Sequence, residues 1–177
     1  MQMCKDAGVI IMHRGTRTRD MKKAESVGAD LVTILGTEAA GHPGQEEVTS
    51  MVRIPAVVDA VDIPVIAAGG IADGRGLVAA LALGAEGVLM GTRFMACKEC
   101  PIHDDLKQHM LALAEADTIL IQKSIMNASR VIRTEVTEKV LEMEHQGATL
   151  EELMTLISGA NTRNVLATGD TSKGVLH

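Results

Sequence analysis

The chain has 177 residues, a formal net charge of −6 and an apolar share of 46%, which suits one domain with enough apolar side chains for a core. An acidic total with interspersed signs gives no long-range attraction to nucleic acid or an anionic membrane. No apolar stretch approaches the ~20 residues of a membrane span, and Met1-Gln-Met-Cys-Lys-Asp6 lacks the layout of a secretion signal, so a cytoplasmic protein is expected. One Phe and no Trp or Tyr make the expected core aliphatic and rich in Met.

Gly8-Val-Ile-Ile-Met-His13 is the first strand candidate, near 9–13, and Thr16 to Val27 has helical spacing up to Gly28. Val27-Gly-Ala-Asp-Leu-Val-Thr-Ile-Leu-Gly36-Thr37 predicts a second strand near 31–36. The loop after it, Glu38-Ala-Ala-Gly-His42-Pro-Gly44, puts a histidine among small residues directly after a strand. Such an imidazole can bind an anion or share a proton near neutral pH; the competing reading is a histidine that bonds only its own loop.

Two glycine turns follow, one helix apart. Pro64-Val-Ile-Ala-Ala-Gly69-Gly70-Ile-Ala-Asp73 ends a strand near 64–68, and Gly84-Ala-Glu-Gly-Val-Leu-Met-Gly91-Thr92 ends one near 87–91. Short apolar runs without polar alternation read as parallel strands buried on both faces. Asp73 is the expected N-cap and Gly84 the expected C′ stop of the helix between them. Gly84-Ala-Glu repeats the Gly28-Ala-Asp pattern, and both strands end in Gly-Thr. The repeat predicts α/β architecture with a parallel sheet of four strands, half the number in a (β/α)8 barrel. Paired turns after the last strands of that fold form its usual phosphate site, so a phosphorylated cofactor or substrate is expected. The absence of lysine at all four strand ends argues against a Schiff-base aldolase.

Beyond Phe94 the alternation stops. Cys97 and Cys100 form C-x-x-C, but zinc needs two more ligands at matching spacing and Pro101 interrupts a redox helix, so ordinary loop cysteines and no metal site are expected. Asp104 to Ala116 and Glu135 to His145 look helical, and Thr149-Leu-Glu-Glu152 is a capping box opening Leu150 to Ile157. Gly159 is expected to close that helix and leave a polar tail over 161–177. The expected division is a half-barrel over 1–96, a helical segment over 97–160 acting as a substrate lid or a packing cap, and a return segment over 161–177.

Glu38-Ala-Ala-Gly-His-Pro-Gly44, Ala67-Ala-Gly-Gly-Ile-Ala-Asp-Gly-Arg-Gly76, Met90-Gly-Thr-Arg-Phe94 and Glu99-Cys-Pro-Ile-His103 together resemble the nitronate monooxygenase family. That family, once called 2-nitropropane dioxygenases, includes FMN-dependent NADH:quinone reductases. The resemblance extends over Ser124 to Arg133 and Thr168-Gly-Asp-Thr-Ser-Lys-Gly174, and two of its details look closer to the reductase branch. It implies a TIM barrel holding FMN beneath an inserted helical domain. By matching motifs, Ala68, Gly69, Gly70, Gly91 and Thr92 would hold the FMN phosphate. Arg14 would lie near the flavin, with Leu35 (in place of a frequent polar residue) and Ala40 lining the same side. His42 would be the active-site histidine. The implied chemistry is oxidation of an alkyl nitronate with O2, or reduction of a quinone by NADH.

The resemblance also implies further β/α units before residue 1 and a helix after residue 177, so the sequence reads as the C-terminal part of the family fold. An open sheet of this kind would be covered by a partner, and a homo-oligomer is one expectation. Two alternatives stand beside the flavoenzyme: a phosphate-binding barrel without flavin, and a half-barrel without catalysis.

Overall fold

The computed structural model describes residues 2–177, which divide into two compact units, 2–39 with Glu46–Met90 and Ala40–Gln45 with Gly91–His177. The first unit runs α1 (Gln2–Asp6), β1 (Met12–Gly15), α2 (Thr18–Ser26), β2 (Leu31–Leu35), α3 (Ser50–Val58), β3 (Val65–Ala68), α4 (Gly74–Ala82) and β4 (Gly87–Leu89). Its strands form one parallel sheet in the order β1-β2-β3-β4, as the repeat predicted.

Strand alternation assigns the faces. Val32, Ile34, Val65 and Ala67 pack with Met21 and Ala24 of α2, Ile54 and Val57 of α3, and Ala80 of α4. The opposite face carries the row Arg14, Thr33, Ile66 and Gly87, which are paired in register, and Leu35 with Ala68 one step on. The ends of α2 and α4 carry the punctuation expected from the sequence. Gly28 and Gly84 have φ of +97° and +92°, and the Asp73 side chain accepts from the Arg75 N–H to cap α4. A Cβ at Gly84 would meet Val58 Cγ1 at 2.8 Å, so the turn is tight as well as left-handed.

The first strand starts later than expected. Ladder pairing begins at Met12, whereas Val9 and Ile10 precede it with Ile10 75% exposed. The Asp30 carboxylate accepts from the Ile11 N–H, and Ile11 C=O accepts from Asp30 N–H, so the ladder proper opens one residue further on. The apolar run misled because its first half joins no strand, and the Val9 N–H donates instead to Cys4 C=O of α1 at 2.9 Å.

The second unit contains α5 (Thr92–Met95), α6 (Asp104–Ala112), β5 (Thr118–Ile121), β6 (Ser129–Ile132), α7 (Glu135–His145), α8 (Leu150–Ile157), α9 (Gly159–Thr168) and a 3-10 turn at Thr171–Lys173. The antiparallel pair β5–β6 was not anticipated. Ile119, Ile121 and Val131 pack with Val140 of α7, Leu153 of α8 and Val175, while Ile132 joins Leu106, Val165 and Leu176. The capping box at Thr149 and Glu152 forms as expected, and a second joins Thr134 to Thr137.

Two helical expectations are corrected. α6 stops at Ala112, where Ala114 N–H turns to the Asp117 carboxylate at 2.7 Å. The expected polar tail begins instead with α9. Ser158 ends α8 and caps α9 by accepting from Asn161 N–H, while Asn161 Nδ2 donates to the C=O groups of Thr155 and Leu156. Gly159 thus opens a helix rather than closing the chain's helical part. No helix among the described residues is long and apolar enough to cross a membrane.

Candidate functional site

At the C-terminal end of β3 the backbone turns through Gly69 and Gly70, with φ of +94° and +72°. Such values suit glycine, and they pull the chain against the loop that follows β2. A Cβ on Gly69 would meet Ala39 N at 3.0 Å, and one on Gly70 would meet Glu38 Cβ at 3.2 Å. That loop is itself fixed. Thr49 caps α3 with no bond from its own hydroxyl, and the Glu38 carboxylate accepts from the Ser50 N–H at 3.0 Å instead. Leu35, Ala39 and Ala68 form a small buried apolar cluster at the same strand ends.

Among the described residues no hydrogen bond uses the amide N–H of Gly69, Gly70 or Ile71, nor that of Gly91. Gly91 has open space where a Cβ would stand, and Thr92 begins α5 behind it. Unengaged amides free of side-chain hindrance suit an anion such as a phosphate group. Across the sheet face, Thr33 is fully buried with a hydroxyl that has no partner among the described residues, in register with Arg14. Sequence reading singled out Arg14 but not Thr33; a hydroxyl within an otherwise apolar strand was the available signal.

The second unit holds Ala40, His42, Gly91 and Thr92, and it fixes His42 through β6. Gly41 and Arg130 exchange backbone hydrogen bonds, Gly41 N–H to Arg130 C=O at 3.0 Å and Arg130 N–H to Gly41 C=O at 2.6 Å. Two residues along the same strand, Ile132 N–H donates to Leu176 C=O at 2.8 Å. The loop and the C-terminal segment therefore lie on one edge of β6. His42 and His177, the residues that follow, come together with ring centroids 6.0 Å apart and an interplanar angle of 31°. His177 Nδ1 lies 3.0 Å from the hydroxyl of Ser129, a fully buried β6 residue. Burial, and then the neighbouring His42, push the proton affinity of His177 below that of a free imidazole.

His177 was missed by sequence reading because nothing local marks it. The hairpin did leave a signal, in Thr118-Ile-Leu-Ile121 and Ser129-Arg-Val-Ile132, two short β-branched runs around a polar loop. Cys97 and Cys100 are free, half-buried thiols joined only by a backbone bond from Cys100 N–H to Cys97 C=O. Among the described residues no three His, Cys, Asp or Glu side chains gather as a metal would require.

The family profile described as nitronate monooxygenase matches residues 1–177. This chain belongs to the nitronate monooxygenase family. A relative from Rhodococcus jostii (strain RHA1), named (3aS,4S,5R,7aS)-5-hydroxy-7a-methyl-1-oxo-octahydro-1H-indene-4-carboxyl-CoA dehydrogenase, is 44% identical over 143 residues, which cover 81% of this chain and 39% of that protein. A probable nitronate monooxygenase from Staphylococcus haemolyticus (strain JCSC1435) is 36% identical, over 81% of this chain and 43% of its own. Among solved structures, FabK from Thermotoga maritima superposes with a TM-score of 0.92 at 36% identity, covering 99% of this chain and 56% of that one. The chain thus spans less than half the length of these two curated relatives. Its sheet unit is of TIM-barrel type, with four parallel β/α strands where a closed barrel has eight.

Proposed function

We propose that the family member to which this chain belongs is an FMN-dependent oxidoreductase that oxidises alkyl nitronates with O2. The observation that carries the proposal is the glycine turn Gly69-Gly70, whose amide N–H groups are free to donate to an anion; the Gly91 amide of the second unit is likewise unengaged. Ala68, Gly69, Gly70, Gly91 and the Thr92 hydroxyl would hold the phosphate. Leu35 and Ala40 would offer apolar contact, and Arg14 would balance negative charge near the flavin. When bound, FMN supplies the redox centre, taking electrons from the substrate and passing them to O2. His42 binds and orients the anionic nitronate, as a donor or as a cation. The acidic total of the chain does not oppose an anion here, because oriented amides act at contact distance while dispersed surface charges are screened.

A second reading rests on the 44% identity to the carboxyl-CoA dehydrogenase from Rhodococcus jostii, and makes the oxidisable substrate a CoA thioester. A third takes NADH as donor and a quinone as acceptor, favoured by Gly41-His-Pro-Gly44 and Glu99-Cys-Pro-Ile-His103. One experiment separates them. The purified protein is assayed for bound flavin by absorbance, then for turnover of propyl nitronate with O2, benzoquinone with NADH, and a CoA thioester with an artificial acceptor. Flavin at one per chain with nitronate turnover supports the first reading; turnover of another pair alone replaces it. A colourless protein that gains no flavin on incubation with FMN removes all three, whereas a Gly70→Val variant that holds FMN as well as the parent removes the glycine turn from the phosphate cradle and leaves the flavin readings standing.

A further inference from the structure

We propose that His177 is a positioning residue for His42, holding its imidazole through a ring contact tethered to β6. The inference rests on the reading of His42 as the group that meets the substrate. Four observations carry it. The ring centroids lie 6.0 Å apart, within the ~4.5–7 Å span of interacting aromatic pairs. His177 Nδ1 pairs with the Ser129 hydroxyl, and Ser129, the first residue of β6, is fully buried. The two residues before His177, Val175 and Leu176, are buried in the two apolar clusters of this unit. The backbone of both partners is pinned to one strand, Gly41 at Arg130 and Leu176 at Ile132.

The chemistry follows from the pairing of two imidazoles. Both cannot carry charge cheaply at this separation, and His177 is the more enclosed of the two by way of Ser129. His177 therefore serves as a wall against which the His42 ring is held. A catalytic ring on a glycine-flanked loop, Gly41-His42-Pro43-Gly44, would otherwise sample several rotamers, and a misplacement of about 1 Å costs up to ~100-fold in rate. Nothing in the motif around His42 supplies this restraint, so it comes from the far end of the sequence.

The test compares His177→Ala with His177→Phe in the full chain. Imidazole Cε1–H correlation spectra, recorded without substrate, follow the six histidines of the chain. The expected result is a ring-to-ring nuclear Overhauser contact between His42 and His177 in the parent. In His177→Ala the His42 resonance moves toward its position in an unfolded chain, and in His177→Phe it stays dispersed. In the flavin-loaded protein, turnover per folded molecule with the substrate identified above falls about tenfold in kcat for His177→Ala, with KM within about twofold, and His177→Phe recovers most of it. An unchanged His42 resonance in His177→Ala overturns the proposal, and so does a phenylalanine variant no better than the alanine one. If no substrate is turned over, the proposed activity falls, while the spectra still decide the role of His177.

Discussion

Glu38 and Ser50 lock the loop after β2 onto the start of α3. The Glu38 carboxylate lies 3.0 Å from both the amide N and the hydroxyl of Ser50, and the same hydroxyl sits 2.8 Å from Gly69 C=O. One serine thus ties a helix N-terminus, the loop carrying Glu38 and the glycine turn of β3 into a single unit. Ser50→Ala is expected to lower unfolding stability by about 1–2 kcal/mol, since it strips a partly buried carboxylate and a carbonyl of a donor. Glu38→Ala is expected to cost a similar ~1 kcal/mol through loss of the carboxylate that accepts from Ser50 N–H at the start of α3. Urea unfolding followed by circular dichroism measures both, and a double variant losing less than the sum shows the shared contact.

Gly36 and Gly91 separate stability from binding. A Cβ at Gly36 would fall on the Ser50 hydroxyl, Ser50 N and the Glu38 carboxylate, so Gly36→Ala is expected to cost about 3 kcal/mol or more. Gly91 has an ordinary φ of −102° and open space at its Cβ position. Gly91→Ala should therefore melt within a degree or two of the parent, while FMN affinity falls at least tenfold if the methyl meets the phosphate. Equal FMN affinity in the parent and Gly91→Ala would remove Gly91 from the cradle.

His42→Ala is expected to leave melting temperature and FMN content unchanged and to lower kcat/KM roughly a hundredfold, the usual scale for a positioned acid–base group. A purely structural histidine would give the opposite pattern, a lower melting point with normal turnover in the folded fraction. Steady-state kinetics normalised to bound flavin distinguishes the two.

Asp73 titrates far from its ordinary range. The Arg75 guanidinium, with the Arg75 N–H, draws its pKa down from 3.8 to about 2. Because the folded value is depressed, the stabilisation is complete above the unfolded value near 3.8 and is lost as pH falls through about 2. Carboxyl NMR titration should place the midpoint near 2, and Arg75→Gln should return it toward 3.8. A parent midpoint near the ordinary value would show that the pair does not persist in solution.

The sheet unit was legible because its punctuation is local. Asp73, Gly28 and Gly84 act on their own turns, and strands 31–36 and 64–68 are short apolar runs that end in glycine. Legibility failed where a side chain reached outside its own segment. Val9 and Ile10 look like strand residues until Asp30 takes the Ile11 amide. Gly159 looks like a stop until Asn161 reaches back to Thr155 and Leu156. Among the candidate residues, His42 and the glycine turns carry motifs, whereas His177 matters only through partners that the sequence places far away, Ser129 and His42.

The edge of β6 has a consequence for how the chain folds. Gly41 and Leu176 reach this strand from opposite directions along the sequence, and Ser129 meets His177 across 48 positions. Each union closes a large loop, whose entropic cost must be met before its few hydrogen bonds return anything. The hairpin can form early, because its own strands are neighbours, but the two histidines can meet only after both distant segments have been gathered in. Amide exchange should record that order, with Gly41 and Ile132 acquiring protection after the β5–β6 ladder. The imidazole pair is thus among the last things the polypeptide makes, so its formation reports that the second unit has finished folding.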